Sequence, residues 1–313
     1  MQVVILAGGL SPERDVSIRS GRRVAEALRA AAPDWEVLER DIDATLLGDL
    51  STMQPDCVVP LVHGGAGEDG ALRDVLECMG LAYVGSRPNP SRMAFDKTIA
   101  KALVDVDTPA SVSLPHSTFR ELGAAGVLRA LDARLGLPVV VKPSRGGSAL
   151  GASVVSEPGD LPAAMVGAFA YGDVALIEAF ITGMEVAIGV IDTGDGPRAL
   201  PAVEIVPDGG FYDYAARYTA GATEFYVPAR LSDDVAQRAA AAAVEVHARL
   251  ALRDWSRIDM IIDAAGTPWF LEANVAPGMT ETSLVPLALT AAGEDIGSMM
   301  VSLVHRAVGR LQA

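Results

Sequence analysis

The chain has 313 residues, which at roughly 100 to 200 residues per domain predicts two or three domains with developed cores. Half the residues are hydrophobic and 21% are charged, a globular balance that excludes intrinsic disorder. The 25 Lys and Arg against 40 Asp and Glu give a net charge of −15, so the surface repels nucleic-acid backbones and anionic membranes, and neither is an expected partner. An acidic protein can still bind a phosphate ligand if a few basic residues and a divalent cation share one cleft.

Residues 1–9 carry no basic segment and turn glycine-rich, so they read as a first strand and not as a signal peptide. No uncharged apolar run reaches the ~18 to 20 residues of a membrane helix, and the expected compartment is the cytoplasm. Cys57, in an apolar run, and Cys78, in a helical stretch, lack metal-ligand spacing and read as buried reduced thiols.

A strand over 3–7 leads through Gly8-Gly9 into a helix over 16–31 that Pro33 ends. Strands follow at 35–40 and 57–62, the latter running into His63-Gly-Gly-Ala-Gly-Glu-Asp-Gly. The alternation predicts a small doubly wound parallel sheet, with ligands at the carboxyl ends of its strands. Gly-Gly-Leu-Ser-Pro-Glu lacks the G-x-G-x-x-G spacing of a dinucleotide fingerprint. Residues 86–90, with two prolines and an Asn, mark the first domain boundary. Asp96-Lys97 opens a helix, and another near 124–135 precedes Lys142-Pro-Ser-Arg-Gly-Gly-Ser-Ala-Leu-Gly151. Here the lysine comes before the glycines and a Val-rich strand follows them, so the segment is a hairpin over phosphates and not a P-loop. Strands at 174–181 and 185–191 lead to an irregular stretch, 207–227, rich in Tyr and Phe and carrying Arg217. Its length and aromatic content predict a lid. An alanine-rich helix over 233–252 follows.

The most informative stretch is Arg257-Ile-Asp259-Met-Ile-Ile-Asp, a turn over 264–267, and Pro268-Trp-Phe-Leu-Glu272-Ala-Asn274. A four-residue hairpin loop would pair Asp263 with Pro268, Asp259 with Glu272 and Arg257 with Asn274, all on one face. Facing carboxylates repel, so a cation belongs between them. Oxygen donors from Asp, Glu and Asn suit Mg²⁺ completed by phosphates. The competing reading turns Glu272 to solvent and pairs Asp259 with Arg257.

Together with Glu13-Arg-Asp-Val-Ser, the His63 loop, Asp96-Lys97, the Lys142 loop with Ser148, Phe211-Tyr-Asp-Tyr-Ala-Ala-Arg-Tyr218 and Leu271-Glu272-Ala-Asn274-Val-Ala-Pro-Gly278, these residues resemble the D-alanine–D-alanine ligase family of the ATP-grasp superfamily over essentially the whole chain. The resemblance implies an α/β fold, α+β in its ATP-grasp part. It divides into an N-terminal parallel-sheet domain (1–90), a central ATP-grasp domain with the phosphate loop (91–177), and a C-terminal ATP-grasp domain (178–313) with metal site, lid and second-substrate site. It implies a carbon–nitrogen ligase that phosphorylates one D-alanine from ATP and joins the acyl phosphate to a second, for peptidoglycan precursor synthesis and hence cell shape.

By that resemblance Glu13 anchors the first substrate's ammonium and His63 lies near its carboxylate. Lys97 and Lys142 hold phosphates, and Asp259, Glu272 and Asn274 hold Mg²⁺, two ions, with Mn²⁺ as a substitute. Arg257 and the Gly278 N–H hold the oxyanion. Ser148 and Tyr218 link the phosphate loop and lid to Glu13, and Tyr212 favours an amine nucleophile. Ser283, also readable as an ordinary helix cap, and the Leu284 N–H clamp the second carboxylate. Glu178, with the backbone of Ala179 and Ile181, reads adenine, Glu185 bonds the ribose, and Arg217 stands where a phosphate-side lysine is frequent. The resemblance also implies a homodimer. The chain departs from the common pattern at Ala179, often Lys, and in Gly146-Gly-Ser-Ala149, where Glu and a second Ser are frequent. The loop departures leave open a ligase of a biosynthetic cluster that makes a secondary-metabolite dipeptide; a close variant takes D-serine or D-lactate as second substrate, but Tyr218 and Tyr212 favour the amine nucleophile, and a non-catalytic nucleotide sensor is the reading from another class.

Overall fold

The computed structural model describes residues 1–312 apart from 214, 215, 218 and 220. The chain begins with β1 (Gln2–Leu6), α1 (Arg14–Ala31), β2 (Glu36–Arg40), α2 (Leu46–Met53), β3 (Cys57–Pro60) and α3 (Ala71–Cys78). The strands form a parallel sheet in the order β2-β1-β3. Val3, Val4, Ile5 and Leu6 are all fully buried, as a strand covered on both faces requires. α1 buries Ser17, Ser20, Gly21, Val24, Ala25 and Leu28, one stripe at helical spacing. At Gly21 a Cβ would come within 2.6 Å of the Ala7 Cβ, so glycine sets how closely the helix meets the chain leaving β1. Cys57 is buried as expected, but Cys78 is exposed; it falls outside the α3 stripe of Leu72, Arg73 and Leu76.

The middle of the chain comprises α4 (Pro88–Phe95), α5 (Lys97–Leu103), β4 (Ser111–Pro115), α6 (His116–Leu122), α7 (Ala124–Leu135), β5 (Val139–Pro143), β6 (Ser153–Val155), α8 (Leu161–Phe169) and β7 (Val174–Ala179). Its strands make an antiparallel sheet, β4-β7-β5-β6. The proline-rich segment 86–90 enters α4, with Pro88 in the first turn, where its missing N–H has no partner to lose. β7 stops at Ala179, two residues short of the expected strand, and carries Glu178 and Ala179 as part of this sheet.

The remainder is β8 (Met184–Ile191), β9 (Arg198–Ala199), β10 (Val203–Pro207), β11 (Thr223–Tyr226), α9 (Asp233–Arg249), β12 (Trp255–Ile262), β13 (Pro268–Asn274), α10 (Leu284–Ala291) and α11 (Ile296–Gln312). The third sheet runs β11-β10-β8-β12-β13, with β9 against β8. The irregular stretch expected over 207–227 is therefore shorter, because residues 223–226 pair with β10. α9 packs on one face of this sheet. On the other, α10 and α11 join the first sheet and the third in one core that includes Val3, Val24, Ile191, Leu289 and Leu303; each such side chain contributes roughly 1.5–3 kcal/mol by leaving water. The middle sheet has a separate core. Among the described residues no single helix is long and apolar enough to cross a membrane.

Candidate active site

The β12–β13 hairpin holds the expected pairs, Arg257 opposite Asn274 and Asp259 opposite Glu272. Its turn differs. Ile262, not Asp263, faces Pro268, and the register shifts between Asp259 and Met260. Asp263 belongs to the turn, accepting from the N–H groups of Ala265 and Thr267, both at 2.9 Å. The bulge absorbs the extra turn residue and re-aims the strand beside the carboxylates.

Asp259 accepts from Arg257 Nε and Nη2, each at 2.7 Å, so half of the competing reading is present. Its other half is not, since the Glu272 carboxylate turns inward, 3.3 Å from Lys97 Nζ. Burial disfavours its ionised form, but Lys97, Lys142, Arg217 and Arg257 outweigh burial and hold its pKa below the ordinary carboxylate range. Burial likewise opposes the Arg257 cation, and the pair with Asp259 more than offsets it. Asn274 Oδ1 accepts from the Ala276 N–H at 2.8 Å, turning the chain after β13. Among the described residues no group of three or more His, Cys, Asp or Glu is gathered for a metal. Two facing carboxylates and an amide oxygen fit a hard divalent ion only if a ligand's oxygens complete its shell, which is the usual Mg²⁺ arrangement beside phosphates.

Lys97 is placed by the cap of α5. Asp96 accepts from the N–H groups of Thr98 and Ile99 at 3.1 and 3.3 Å, an N-cap, and also from Ser144 Oγ and Arg145 Nε at the end of β5. The helix start is thereby fastened to the hairpin loop, and Lys97 Nζ donates to the Gly146 carbonyl at 2.6 Å. Lys142, on β5, pairs with Glu178 of β7 at 2.6 Å. Sequence reasoning missed Lys101, which pairs with the other Glu178 oxygen at 2.8 Å. Its one available signal is the spacing from Lys97, a single helical turn. Glu178, expected to read adenine, is thus the hub of a buried cation pair. Glu185, on β8, is pushed up to about 7 by burial, against the pull of Arg217.

The loop tip carries Ser148, whose hydroxyl donates to Glu13 Oε1 at the start of α1. Gly64 lies against the same carboxylate: at its φ of +69°, a Cβ would sit 2.6 Å from Glu13 Oε2. His63 is buried, its Nε2 3.2 Å from Ser20 Oγ. Burial pushes it down to about 4, so it faces the cleft as a neutral hydrogen-bonding group. A second missed residue, Glu68, is buried 3.9 Å from His63 Nδ1, with its pKa raised by burial and then by Glu13.

Ser283 stands at the N-cap position of α10 but makes no capping bond. Its Oγ instead accepts from the Thr280 N–H at 3.0 Å, so the ordinary cap reading fails. A Cβ on Gly278 would fall 2.8 Å from that Oγ, so a larger residue there would push the serine hydroxyl aside. The Arg217 guanidinium lies 4.2 Å over the Tyr212 ring. Tyr218 is outside the described residues.

Two cavities collect these groups. The larger, about 610 Å³, lies between the middle and third sheets and is lined by Lys142, Glu178, Ala179, Ile181, Glu185 and Asp259. The smaller, about 460 Å³, is lined by Glu13, His63, Ser148, Arg257, Asn274, Gly278, Ser283 and Leu284. They share Lys97, Gly146, Gly147, Tyr212, Arg217 and Glu272. Every described residue expected at the site lines one or the other.

Two sheets gripping a cavity between them, with a glycine-rich hairpin over it and carboxylates on the opposing hairpin, define an ATP-grasp ligase. A family model described as D-ala D-ala ligase C-terminus matches residues 106–305. The D-alanine–D-alanine ligase of Bordetella petrii is 39% identical over 100% of this chain and 94% of its own. Among solved structures, the VanG D-Ala:D-Ser ligase of Enterococcus faecalis superimposes with a TM-score of 0.85 at 26% identity, covering 98% of this chain and 99% of that one. The D-alanine–D-alanine ligase of Bacillus anthracis complexed with ATP gives 0.79 at 25% identity, covering 100% and 98%. The chain belongs to the D-alanine–D-alanine ligase family, and it is an enzyme of the ligase class.

Proposed function

We propose that this enzyme joins two D-alanine molecules at the expense of ATP. The observation that carries the reading is that the two cavities meet at Lys97, the Gly146-Gly147 backbone and Glu272. A nucleotide in the larger one would thus place its terminal phosphate at the mouth of the smaller. Adenine lies against Glu178, Ala179 and Ile181, ribose at Glu185, and the triphosphate under the β5–β6 loop beside Lys97, Lys142 and Arg217. The first D-alanine sits with its ammonium at Glu13, near neutral His63. Its carboxylate oxygen attacks the γ-phosphorus and ADP leaves, giving an acyl phosphate. The second D-alanine, its carboxylate held by Ser283 and the Leu284 N–H and its amine beside Tyr212, attacks the acyl carbon. Arg257, whose Nε and Nη2 serve Asp259, turns Nη1 with the Gly278 N–H toward the tetrahedral oxyanion. The C–O bond to phosphate then breaks, and dipeptide and inorganic phosphate leave.

Phosphoryl transfer depends on positioning and charge neutralisation, and water would hydrolyse the acyl phosphate. Ser148, and Tyr218 in the lid, therefore act by closing the loop and lid over Glu13. Mg²⁺, or Mn²⁺, held by Asp259, Glu272 and Asn274 would neutralise the polyphosphate's charge. Residues 1–90 supply the first-substrate site, 91–177 with the end of β7 the nucleotide cover, and the rest the metal, lid and second-substrate groups. The reading includes a cytoplasmic homodimer that feeds peptidoglycan synthesis, which the family resemblance supports. The test is phosphate release from ATP with D-alanine, with D-serine and D-lactate as competing second substrates. Release with another amino acid and none with D-alanine overturns the reading.

A further inference from the structure

Glu178 is 2% exposed, and its two carboxylate oxygens face two different lysines, Lys101 Nζ at 2.8 Å and Lys142 Nζ at 2.6 Å. The lysines are not equivalent. Lys142 and Glu178 line the larger cavity, whereas Lys101 lines neither cavity. Lys101 Nζ is also fixed from a third side, donating to the Phe270 carbonyl on β13 at 2.8 Å. A lysine so held, on a helix whose start is fastened to the loop, cannot follow a ligand. Lys142 can.

The consequence is a matter of charge. If Lys142 turns to a polyphosphate, a buried carboxylate loses one of its partners, and an uncompensated buried charge is strongly unfavourable. We propose that Lys101 is the resident counter-ion of Glu178, a positioning residue that frees Lys142 to engage the nucleotide's phosphates. Burial pushes Lys101 down to about 8 against the pull of Glu178, while Glu178 itself is held below its ordinary range by Lys142 and Lys101 despite burial. The fixed pair on the sheet side is therefore ionised at neutral pH. The triad carries one net positive charge into the site, and Lys142 is its transferable member. The proposal rests on reading the larger cavity as the nucleotide site.

The test is ATP binding by isothermal titration calorimetry, without amino acid, on the full chain. Lys101→Met should weaken ATP binding at least about tenfold, because Lys142 is then retained by Glu178. Adding Glu178→Gln removes the charge that retains it, and the double variant should bind ATP at least about fivefold more tightly than Lys101→Met. Loss of the Phe270 contact alone predicts no such recovery. If Lys101→Met does not fold, the double variant, in which Lys142 keeps the neighbouring carboxylates of Glu272 and Glu185, should fold and bind ATP. A double variant that is unfolded, or no better than the single one, overturns the proposal, as does unchanged binding by Lys101→Met. Wild-type protein that binds no ATP overturns the nucleotide reading instead.

Discussion

The Ser148 hydroxyl at the tip of the β5–β6 loop donates to the Glu13 carboxylate at the start of α1, across 135 positions of sequence. One bond thus ties the loop proposed to cover phosphates to the residue proposed to hold the first substrate. Ser148 adopts a φ of +53°, so Ala is the informative replacement, leaving the backbone cost unchanged while removing the hydroxyl. A hydrogen bond to a carboxylate contributes about 1.5–3 kcal/mol, so Ser148→Ala should lower kcat/KM for D-alanine roughly 10- to 100-fold. ATP affinity should change by less than about threefold. Equal losses for both substrates would mean that Ser148 acts on the nucleotide directly.

Glu272 separates the metal reading from the simple ion-pair reading. As a ligand it should be needed both for rate and for Mg²⁺ affinity. Glu272→Ala should cut phosphate release more than about a thousandfold and raise the Mg²⁺ concentration for half-maximal rate. A variant within about tenfold of wild type, with an unchanged Mg²⁺ dependence, would show that Glu272 serves only Lys97.

Acid should destabilise the fold through His247. It is buried, its Nδ1 2.8 Å from Ser256 Oγ, and burial lowers its pKa from 6.5 to about 4. Between those values the unfolded chain holds a proton there that the folded chain does not. This contribution is therefore intact above pH 6.5 and lost as pH falls toward 4. The shift corresponds to at most about 3 kcal/mol. Urea midpoints from pH 7 to 4.5 should decline less steeply for His247→Gln than for wild type; parallel curves would remove His247 from the account. His63 is a poorer probe, because neighbouring Glu68 shifts in the opposite sense.

Asp254 fastens the C-terminal helix to the turn at Gly85. Fully buried, it accepts from Arg310 of α11 at 2.7 and 2.8 Å and from the Gly85 N–H at 2.7 Å. Asp254→Ala leaves the Gly85 N–H unpaired and the half-buried Arg310 without its carboxylate, so it should cost about 1–3 kcal/mol in denaturant unfolding. The exposed Arg92–Asp74 pair is the control, and Asp74→Ala should cost under about 1 kcal/mol. Similar losses at the two sites would contradict this assignment.

Local features were largely legible. The strands of the first sheet, α7 at Ala124–Leu135 and the pairing of Asp259 with Glu272 follow from periodicity, because alternation and helical stripes are short-range properties. The turn at Asp263 was misjudged by one residue, since a bulge leaves no mark in a two-residue period. The exposure of Cys78 and the strand at Thr223–Tyr226 were misjudged because they depend on what packs alongside.

By itself the sequence determined which chemistry is available. An acidic chain of 313 residues carries a lysine before a glycine-rich hairpin and two carboxylates on facing strands, enough to indicate a phosphate ligand and its cation. Only the tertiary structure decided which charges neutralise one another. Lys101 meets the Phe270 carbonyl across 169 positions, and Ser148 meets Glu13 from another layer of the fold. Such partners are set by how sheets and helices stack, and in a buried site the partner determines whether a charge stays fixed or is free to meet a ligand.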